Sequence, residues 1–242
     1  MGVGTLAGML AVALALIGFL ATRPDYAVFL PQLLQGAVLT VEITLLGCAL
    51  AIVMGVVAAL ARLYGPAPLR WLATVYVEIF RGTSALVQLF WLFFVLPQFG
   101  LTLPPFLVAV LALGLNVGAY GSEVVRGAIL GVPRGQWEAT TALNMSRAEA
   151  LRRIILPQAF VAMIPPWGNL FIELLKATSL VSLITLADLA FRAQTLNQAT
   201  FQTVPIFTLV LLLYLVLSLV LTIGMRFLET RAGLGLARGR AR

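Results

Sequence analysis

The sequence has no histidine, a single cysteine and few charged residues, and each shortage excludes a class of function or of site. Without histidine, imidazole acid–base catalysis is excluded, and so is nearly every common zinc site. Cys48 stands alone in an apolar run, so no internal disulfide forms and we predict that it simply packs against its neighbours. A phosphate-binding G-x-x-x-x-G-K-[ST] loop is also missing, as is any nucleophile or metal constellation. We therefore predict that the chain is neither an ATPase nor another enzyme and holds no metal.

Charged residues make up only 10% of the chain, against about 25% in soluble domains. Hydrophobic residues make up 61% of the 242 residues, which predicts an all-α, polytopic membrane protein with one transmembrane domain over residues 1–242. The net charge of +7 would suggest nucleic acid in a soluble protein. Here most arginines lie between apolar runs, so we expect contact with membrane lipid and none with nucleic acid.

Long apolar runs predict about six membrane-spanning helices. The predicted spans are about 3–21, 36–61, 71–96, 106–126, 158–186 and 204–227. The first is uncharged and long enough to cross a bilayer. A signal peptide is the rival interpretation, but the residues before this run lack the basic charge of such a leader.

Arginines are distributed unevenly between the two sides of this six-span arrangement. The links that carry Arg62 and Arg70, residues 126–153 and residues 226–242 all fall on one side. The opposite links carry only Arg23 and Arg192. Because basic residues are retained in the cytoplasm, we predict that both termini are cytoplasmic.

A polar segment, residues 134–157, interrupts the apolar sequence on the predicted cytoplasmic side. From Gly135 to Pro157 it carries half of all the charge between Gly82 and Ala187. Its apolar residues recur at helical spacing on both sides of Asn144, the non-glycine residue that best tolerates a left-handed backbone. We predict two short helices with a bend at Asn144, and a return into the membrane at Pro157.

One face of the fourth span carries small and polar residues at helical spacing. These are Ala112, Asn116, Tyr120, Glu123 and Gly127. A carboxylate, a phenol and an amide on one stripe would suit a cationic or zwitterionic solute. Equally, small residues allow close helix packing and polar ones bond across helices, so both interpretations stay open.

Other polar residues inside the spans have structural and functional interpretations. Acid–base pairs three residues apart begin at Glu78, Glu123 and Glu173, and we expect each pair to neutralise itself. The Pro165–Pro166 pair predicts a broken helix that borders the transport pathway. Thr178, Ser182 and Thr185 share one face of the same span. Glu42 is a lone carboxylate that suits either a snorkelling or a gate residue.

The spacing within the polar segment resembles a known motif. Glu138, Ala139 and Thr140 are followed by three residues and Asn144, and then by nine residues and Ile154-x-Leu156-Pro157. This resembles the EAA loop of ABC importer permeases, with Thr140 in place of an alanine and Asn144 in place of a glycine. The resemblance implies the type I ABC importer permease fold and a helix that docks on a cytoplasmic ATPase. The alternative is an amphipathic surface helix that only separates two spans.

The implied coupling residues are Gly135, Glu138, Ala139, Asn144, Arg147, Leu156 and Pro157. Further stretches, at 77–89, 116–129 and 174–184, resemble the polar amino acid uptake branch, with Ser84 and Ser122 as departures. That branch commonly has five spans, so residues 3–21 form an added helix. Residues 115–121, 142–146 and 163–170 resemble its ectoine/hydroxyectoine subgroup.

The resemblance implies a multi-pass permease subunit of a bacterial cell membrane that imports a small polar or zwitterionic solute. Its partners would be ATPase subunits that use ATP and Mg²⁺, a second permease subunit, identical or not, and an extracytoplasmic solute-binding protein; the chain itself would bind no cofactor. Candidate pathway residues are Asn116, Tyr120, Glu123, Thr178, Ser182 and Glu42. The alternative is a secondary transporter that couples ions through Glu42 or Glu123.

Overall fold

A computed structural model describes residues 2–240 and the side chains of residues 2–233. Residues 1, 241 and 242, part of the predicted cytoplasmic termini, lie outside it. The helices are α1 (Val3–Ala21), α2 (Pro24–Ala27), α3 (Leu30–Tyr64), α4 (Ala67–Gly82), α5 (Ala85–Phe90), α6 (Pro105–Leu130), α7 (Arg134–Ala142), α8 (Arg147–Ala150), α9 (Leu156–Ala177), α10 (Leu189–Thr200) and α11 (Thr203–Arg240). Short π-helical turns cover Trp91–Val95 and Leu151–Ile155, and 3₁₀ turns cover Leu96–Phe99 and Thr178–Ile184. No strand occurs within this range, and the predicted all-α class is confirmed.

Five helical segments are long and apolar enough to cross a membrane. They are Val3–Ala21, Pro24–Tyr64, Pro105–Leu130, Arg147–Ile184 and Thr203–Gly233. A sixth span is formed if the bent pair Ala67–Gly82 and Ala85–Phe99 is taken as one crossing. The predicted number of about six is therefore confirmed, but the stretch predicted as the third span is two helices that meet at 107°.

The bend between α4 and α5 is stabilised by side-chain amides. Thr83 and Ser84 are extended and leave the last carbonyls of α4 without helical partners. The carbonyl of Phe80 accepts hydrogen bonds from Gln88 Nε2 at 2.9 Å and from Asn116 Nδ2 at 2.9 Å. Because these donors replace water, an interrupted helix is tolerated inside the membrane.

Helices α3 and α6 form the centre of the bundle. A Cβ atom at Gly114 would lie 3.1 Å from the carbonyl oxygen of Gly47, and one at Gly118 would lie 3.2 Å from that of Ala51. The two backbones therefore touch directly, as small residues allow between membrane helices. Helix α9 packs on this pair and adds Trp167 to the main hydrophobic core.

The predicted break at Pro165 and Pro166 is wrong, because α9 continues through both residues. Proline's fixed φ is compatible with a helix, and the packed neighbours of a membrane helix help to hold one that lacks two N–H donors. Regular α-helix ends instead at Ala177, where the 3₁₀ turns begin, and Thr185 then adopts a left-handed φ of 65°.

The remaining helices cover the outside of this bundle. Helix α1 packs mainly on α11 and buries only Leu6 and Ala13. The link between the predicted fifth and sixth spans contains helix α10, which packs on α3 and α11. Leu33, Leu189 and Ile206 form the second core there, each with 0% exposure.

Candidate functional site: the polar segment and the polar stripes

The first helix of the polar segment, α7, places its motif residues on opposite faces. Gly135, Glu138 and Ala139 are exposed. Thr140 is 4% exposed, and its hydroxyl donates to the carbonyl of Trp137 at 2.7 Å. Thr140, which departs from the motif, therefore lies on the inner face, whereas Glu138 and Ala139, which match the motif, face outwards.

The predicted bend at Asn144 is confirmed, since this residue has a φ of 52°. Its N–H donates to the carbonyl of Thr141 at 3.0 Å, which closes the end of α7. Ser146 then starts α8 with a capping box, in which its hydroxyl accepts from the N–H of Glu149 while the Glu149 carboxylate accepts from the N–H of Ser146. Two short helices with a left-handed link follow, as predicted.

Leu143 is an exposed residue of this segment that the sequence interpretation did not select. It is 72% exposed and directly precedes the bend. Asn144 and Arg147 are exposed as well. An exposed apolar side chain at this turn, between Glu138 and Arg147 in the sequence, has the character of a contact surface. The available signal was Leu143 itself, a large apolar residue in a polar context.

The polar segment is attached to the bundle at several points. Ile155 is fully buried in the main core, and Trp137 packs against that core. Gln158 Nε2 donates to Gln136 Oε1 at 3.1 Å and so joins α9 to α7. The π-helical turn Leu151–Ile155 leads into α9. Pro157 lies in the first turn of α9, where a missing N–H is tolerated.

An apolar cleft of about 700 Å³ opens beside the point where the segment enters α9. Its lining combines the ends of α3, α6, α9 and α11. The lining residues are Val56, Leu60, Val125, Arg152, Leu156, Pro157, Phe160, Val161, Met163 and Ala232. Leu156 and Pro157 therefore face a different environment from the exposed residues of α7.

The predicted stripe on α6 faces α4 and α5. Asn116 Nδ2 donates to the carbonyl of Phe80 at 2.9 Å and to Gln88 Oε1 at 3.1 Å. The Tyr120 hydroxyl donates to the carbonyl of Arg81 at 3.4 Å. The stripe thus bonds across helices, and Asn116 serves the bend in the third span. Tyr120 is still 40% exposed, so this end of the stripe also faces outwards.

Glu123 is the centre of an ionic cluster between three helices. Its carboxylate lies 2.5 Å from Arg62, 3.4 Å from Arg81 and 2.7 Å from Arg126. Three guanidinium groups around one carboxylate leave a local excess of positive charge. The cluster joins the end of α3, the end of α4 and α6.

The expected self-neutralising pairs form at only one of three places. Glu123 pairs with Arg126, as predicted. Arg81 instead reaches Glu123, and no salt bridge to Glu78 or between Glu173 and Lys176 occurs among residues 2–233. The expectation for these two pairs is wrong, because spacing on one helix competes with partners on neighbouring helices.

The other predicted pathway residues do not gather with Glu123. Thr178 and Ser182 are buried, and their hydroxyls donate to the carbonyls of Leu175 at the end of α9 and of Ser179 in the 3₁₀ segment. Glu42 is exposed near the start of α3, whereas Glu123 pairs with Arg62 near the end of the same helix. The structure therefore separates the candidates into at least two places.

A second polar stripe, on α9, was not predicted as a unit. Asn169, Glu173 and Lys176 are all exposed and recur at steps of four and three residues. Charged residues within a membrane span face a watery cavity or another protein subunit rather than lipid. The signal in the sequence is the helical face that these three residues share. The expected pairing of Glu173 with Lys176 accounted for only two of them.

Comparison with known proteins identifies the family of this chain. The sequence profile of the family described as "Binding-protein-dependent transport system inner membrane component" matches residues 51–233. The chain belongs to this family. It is therefore a multi-pass membrane component of a transport system rather than an enzyme, and the family does not favour an ion-coupled secondary transporter.

Two curated relatives align with most of this permease. A probable amino-acid ABC transporter permease protein of Sinorhizobium fredii is 46% identical over 212 residues, which cover 85% of this chain and 89% of the relative. The L-cystine transport system permease protein of Bacillus subtilis is 42% identical over 204 residues, which cover 84% of this chain and 87% of the relative.

The fold of the permease is also known from solved structures. It resembles the crystal structure of an amino acid ABC transporter with histidines, with a TM-score of 0.79 and 34% identity. The match covers 85% of this chain and 96% of that one. The type I permease fold implied by the polar segment is thereby confirmed.

Proposed function

We propose that this permease is the membrane subunit of an ATP-driven importer of a small zwitterionic solute, and that its polar segment couples transport to a separate ATPase. The observation that carries the proposal is the exposed surface of α7 and the Asn144 bend. It presents Glu138, Ala139, Leu143 and Arg147 to a partner while its inner face is tied to the bundle.

The attachment of the segment suits the transmission of a displacement. Trp137 and Ile155 pack in the core that α3, α6 and α9 share, and Gln136 is bonded to Gln158 at the start of α9. A partner that pulls on α7 therefore moves the adjoining ends of α6 and α9 together. Rigid-body movement of this kind underlies alternating access in other transporters.

The complex that we propose contains two permease subunits, identical or paired with a related chain. Two cytoplasmic ATPase subunits, which use ATP and Mg²⁺, bind the two polar segments, and an extracytoplasmic binding protein delivers the solute. Both termini of this chain are then cytoplasmic, in a bacterial cell membrane. The excess of arginine in the links on the side of the polar segment supports this orientation.

The proposed solute is an amino acid or an ectoine-type compatible solute. The names of the amino-acid and L-cystine relatives support the first class, and the resemblance of residues 115–121, 142–146 and 163–170 supports the second. The exposed carboxylate of Glu173 and ammonium of Lys176 on α9 carry the two charges that would receive the ammonium and carboxylate of a zwitterion. They join Tyr120 and Glu123 as candidate pathway residues.

The coupling role predicts that reversing one exposed charge abolishes transport. We expect Glu138→Lys to reduce ATP-dependent uptake by about tenfold or more, because about 1.4 kcal/mol lost at the docking surface already weakens association tenfold. The measurement is solute uptake into liposomes that hold the purified complex, with ATP supplied to the ATPase side. The matched control is Asp25→Lys, which reverses an exposed carboxylate on α2 and should leave uptake intact.

Unchanged uptake in Glu138→Lys would exclude this surface as the coupling site. Uptake that proceeds in wild-type protein without ATP but follows an ion gradient would instead support the secondary transporter.

A further inference from the structure

A buried polar cluster lies at the end of the bundle opposite the polar segment. It contains Thr40 of α3, Thr178 of the 3₁₀ segment, Asp188 before α10 and Tyr214 of α11. The first three have 0% exposure, and the Tyr214 hydroxyl is buried as well. Tyr214 packs against the second core, which contains Leu189 directly after Asp188, and its hydroxyl neighbours Thr40 and Thr178.

Asp188 uses only half of its carboxylate. Oδ1 accepts a hydrogen bond from the N–H of Phe191 at 2.8 Å and so caps α10. Oδ2 is buried and has no hydrogen-bond partner among the described residues. The Nε of Arg192 donates to the carbonyl of Ala187 at 3.3 Å, and no salt bridge reaches Asp188 within residues 2–233.

The hydroxyl groups around Asp188 do not supply the missing donors. Thr40 donates to the carbonyl of Gly36 at 3.2 Å and already accepts from the N–H of Leu189 at 3.2 Å. Thr178 donates to the carbonyl of Leu175 at 2.7 Å. Only the hydroxyl proton of Tyr214 remains free.

The five side-chain oxygens of the cluster therefore have one uncommitted proton, that of Tyr214, and the carboxylate carries one full negative charge. A buried charge without a partner is strongly unfavourable, so the cluster requires one unit of positive charge.

We propose that this cluster is a binding site for one monovalent cation, a sodium ion or a proton, which neutralises Asp188 and secures α10 to α3 and α11. All four side chains offer oxygen, the ligand atom that hard cations prefer. A single carboxylate balances one positive charge and leaves a divalent ion half neutralised. The proposal is independent of the transport function, since it concerns only this chain.

The cluster is placed where it controls how α10 is attached. The N–H of Leu189, the first residue of α10, bonds to Thr40 on α3. Next to this bond, the backbone of Asp188 lies against Gly36, where a Cβ atom would come within 2.8 Å of the Asp188 carbonyl oxygen. If Asp188 were ionised and unpaired, its exposure to water would be favoured over this buried position. The contact of α10 with α3 would then weaken, because Asp188 lies at that contact.

The ionisation of Asp188 gives the site its expected pH dependence. Burial raises the pKa of Asp188 to about 6 from an ordinary value of 3.8. Between these values the folded protein holds a proton that the unfolded chain has released, so stability falls as the pH rises towards 6 and then levels off. Tyr214 from α11 is the titratable group that faces it, whereas Arg192 from α10 donates to the carbonyl of Ala187. Helix α3 and the 3₁₀ segment present only hydroxyls, those of Thr40 and Thr178.

The test is the thermal unfolding midpoint of the purified protein in two titrations. One raises the pH from about 4 to about 8 in choline chloride, which spans both pKa values. The other replaces choline by sodium at about pH 7.5 and constant ionic strength, where a carboxylate with a pKa near 6 is ionised. Potassium in place of sodium tests for ion size.

Asp188→Asn is the decisive variant. Asparagine caps helices as well as aspartate does, and its amide donates to the surrounding oxygens without a cation. Asp25→Asn, at an exposed carboxylate on α2, is the matched control.

Relative to Asp188→Asn, we expect the unfolding midpoints of the wild type and of Asp25→Asn to shift by roughly 5 °C in one of the two titrations. A rise with sodium at about pH 7.5 identifies sodium as the cation, and a fall with pH in choline that sodium does not reverse identifies the proton. Wild-type midpoints that respond to neither, or that respond as those of Asp188→Asn do, overturn the proposal. If Asp188→Asn does not fold, Tyr214→Phe, which removes one oxygen ligand, must show a weakened response for the proposal to stand.

Discussion

Asn144 sets the direction in which the chain leaves α7, because its backbone lies in the left-handed region at a φ of 52°. A residue with a Cβ atom rarely adopts this conformation, and asparagine is among the few that do so readily. Glycine occupies the corresponding position of the motif that the segment resembles, and both residues provide the same turn. The side chain is exposed, so its identity matters through the backbone more than through packing.

Two substitutions at Asn144 separate backbone geometry from side-chain chemistry. Asn144→Gly should preserve the turn and retain ATPase association and uptake. Asn144→Val should cost about 1–3 kcal/mol at the bend and disrupt association, since a β-branched residue disfavours this φ. Co-purification of the ATPase and uptake measure both. Equal behaviour of the two variants would contradict a role for the bend.

The other left-handed residues show how far single residues can be predicted. Thr185 and Phe201 have φ values of 65° and 56°, yet neither residue type favours this conformation. The bend at Asn144 was predictable because residue preference and motif spacing agree there. Thr185 and Phe201 are exposed and each follows the last residue of a helical segment, so the turn is set by how the chain continues into the next element, which a linear sequence does not display.

At the scale of elements, the third span shows that side chains distant in sequence decide where a membrane helix breaks. The prolines of α9 predicted a break that did not occur, whereas α4 and α5 meet at 107° with no proline between them. Gln88 and Asn116 satisfy the carbonyl of Phe80 at this bend. Helix boundaries follow from local pattern, but the angle between helices depends on such distant donors.

Removing the amide at the bend should therefore destabilise the third span. Gln88→Met keeps the side-chain length but removes donors to the Phe80 carbonyl at 2.9 Å and the Thr83 hydroxyl at 2.7 Å. We expect a loss of about 1 kcal/mol from the free energy of unfolding, the usual net contribution of a lost hydrogen bond, because Asn116 still donates to the Phe80 carbonyl. The measurement is thermal unfolding in detergent, with Gln98→Met at an exposed position as the control. Equal midpoints for both variants would show that the amide is dispensable.

For the whole molecule, the sequence predicted the class, the number of spans and the position of the polar segment. Apolar run length and charge distribution are local properties, so they survive folding unchanged. The sites were less predictable, because helix packing decides which polar residues meet. Glu123 gathers arginines from three helices, and Asp188 is buried by elements far from it in sequence.

The exposed polar residues also indicate that the molecule works in an assembly. Glu42, Glu173 and Lys176 lie on spans and are exposed, which is unfavourable beside lipid. Helix α1 is peripheral and buries only Leu6 and Ala13. We therefore expect α3 to α11 to carry the contacts with a second permease and with the ATPase, and α1 to be dispensable for assembly.

The most direct test of this account is affinity purification of the tagged chain from gently solubilised native membranes, with identification of every protein that accompanies it. The account predicts an ATPase and a permease partner, both retained when residues 2–21 are deleted and the ATPase lost in Asn144→Val. Recovery of the chain alone, active in liposomes without ATP, would contradict it.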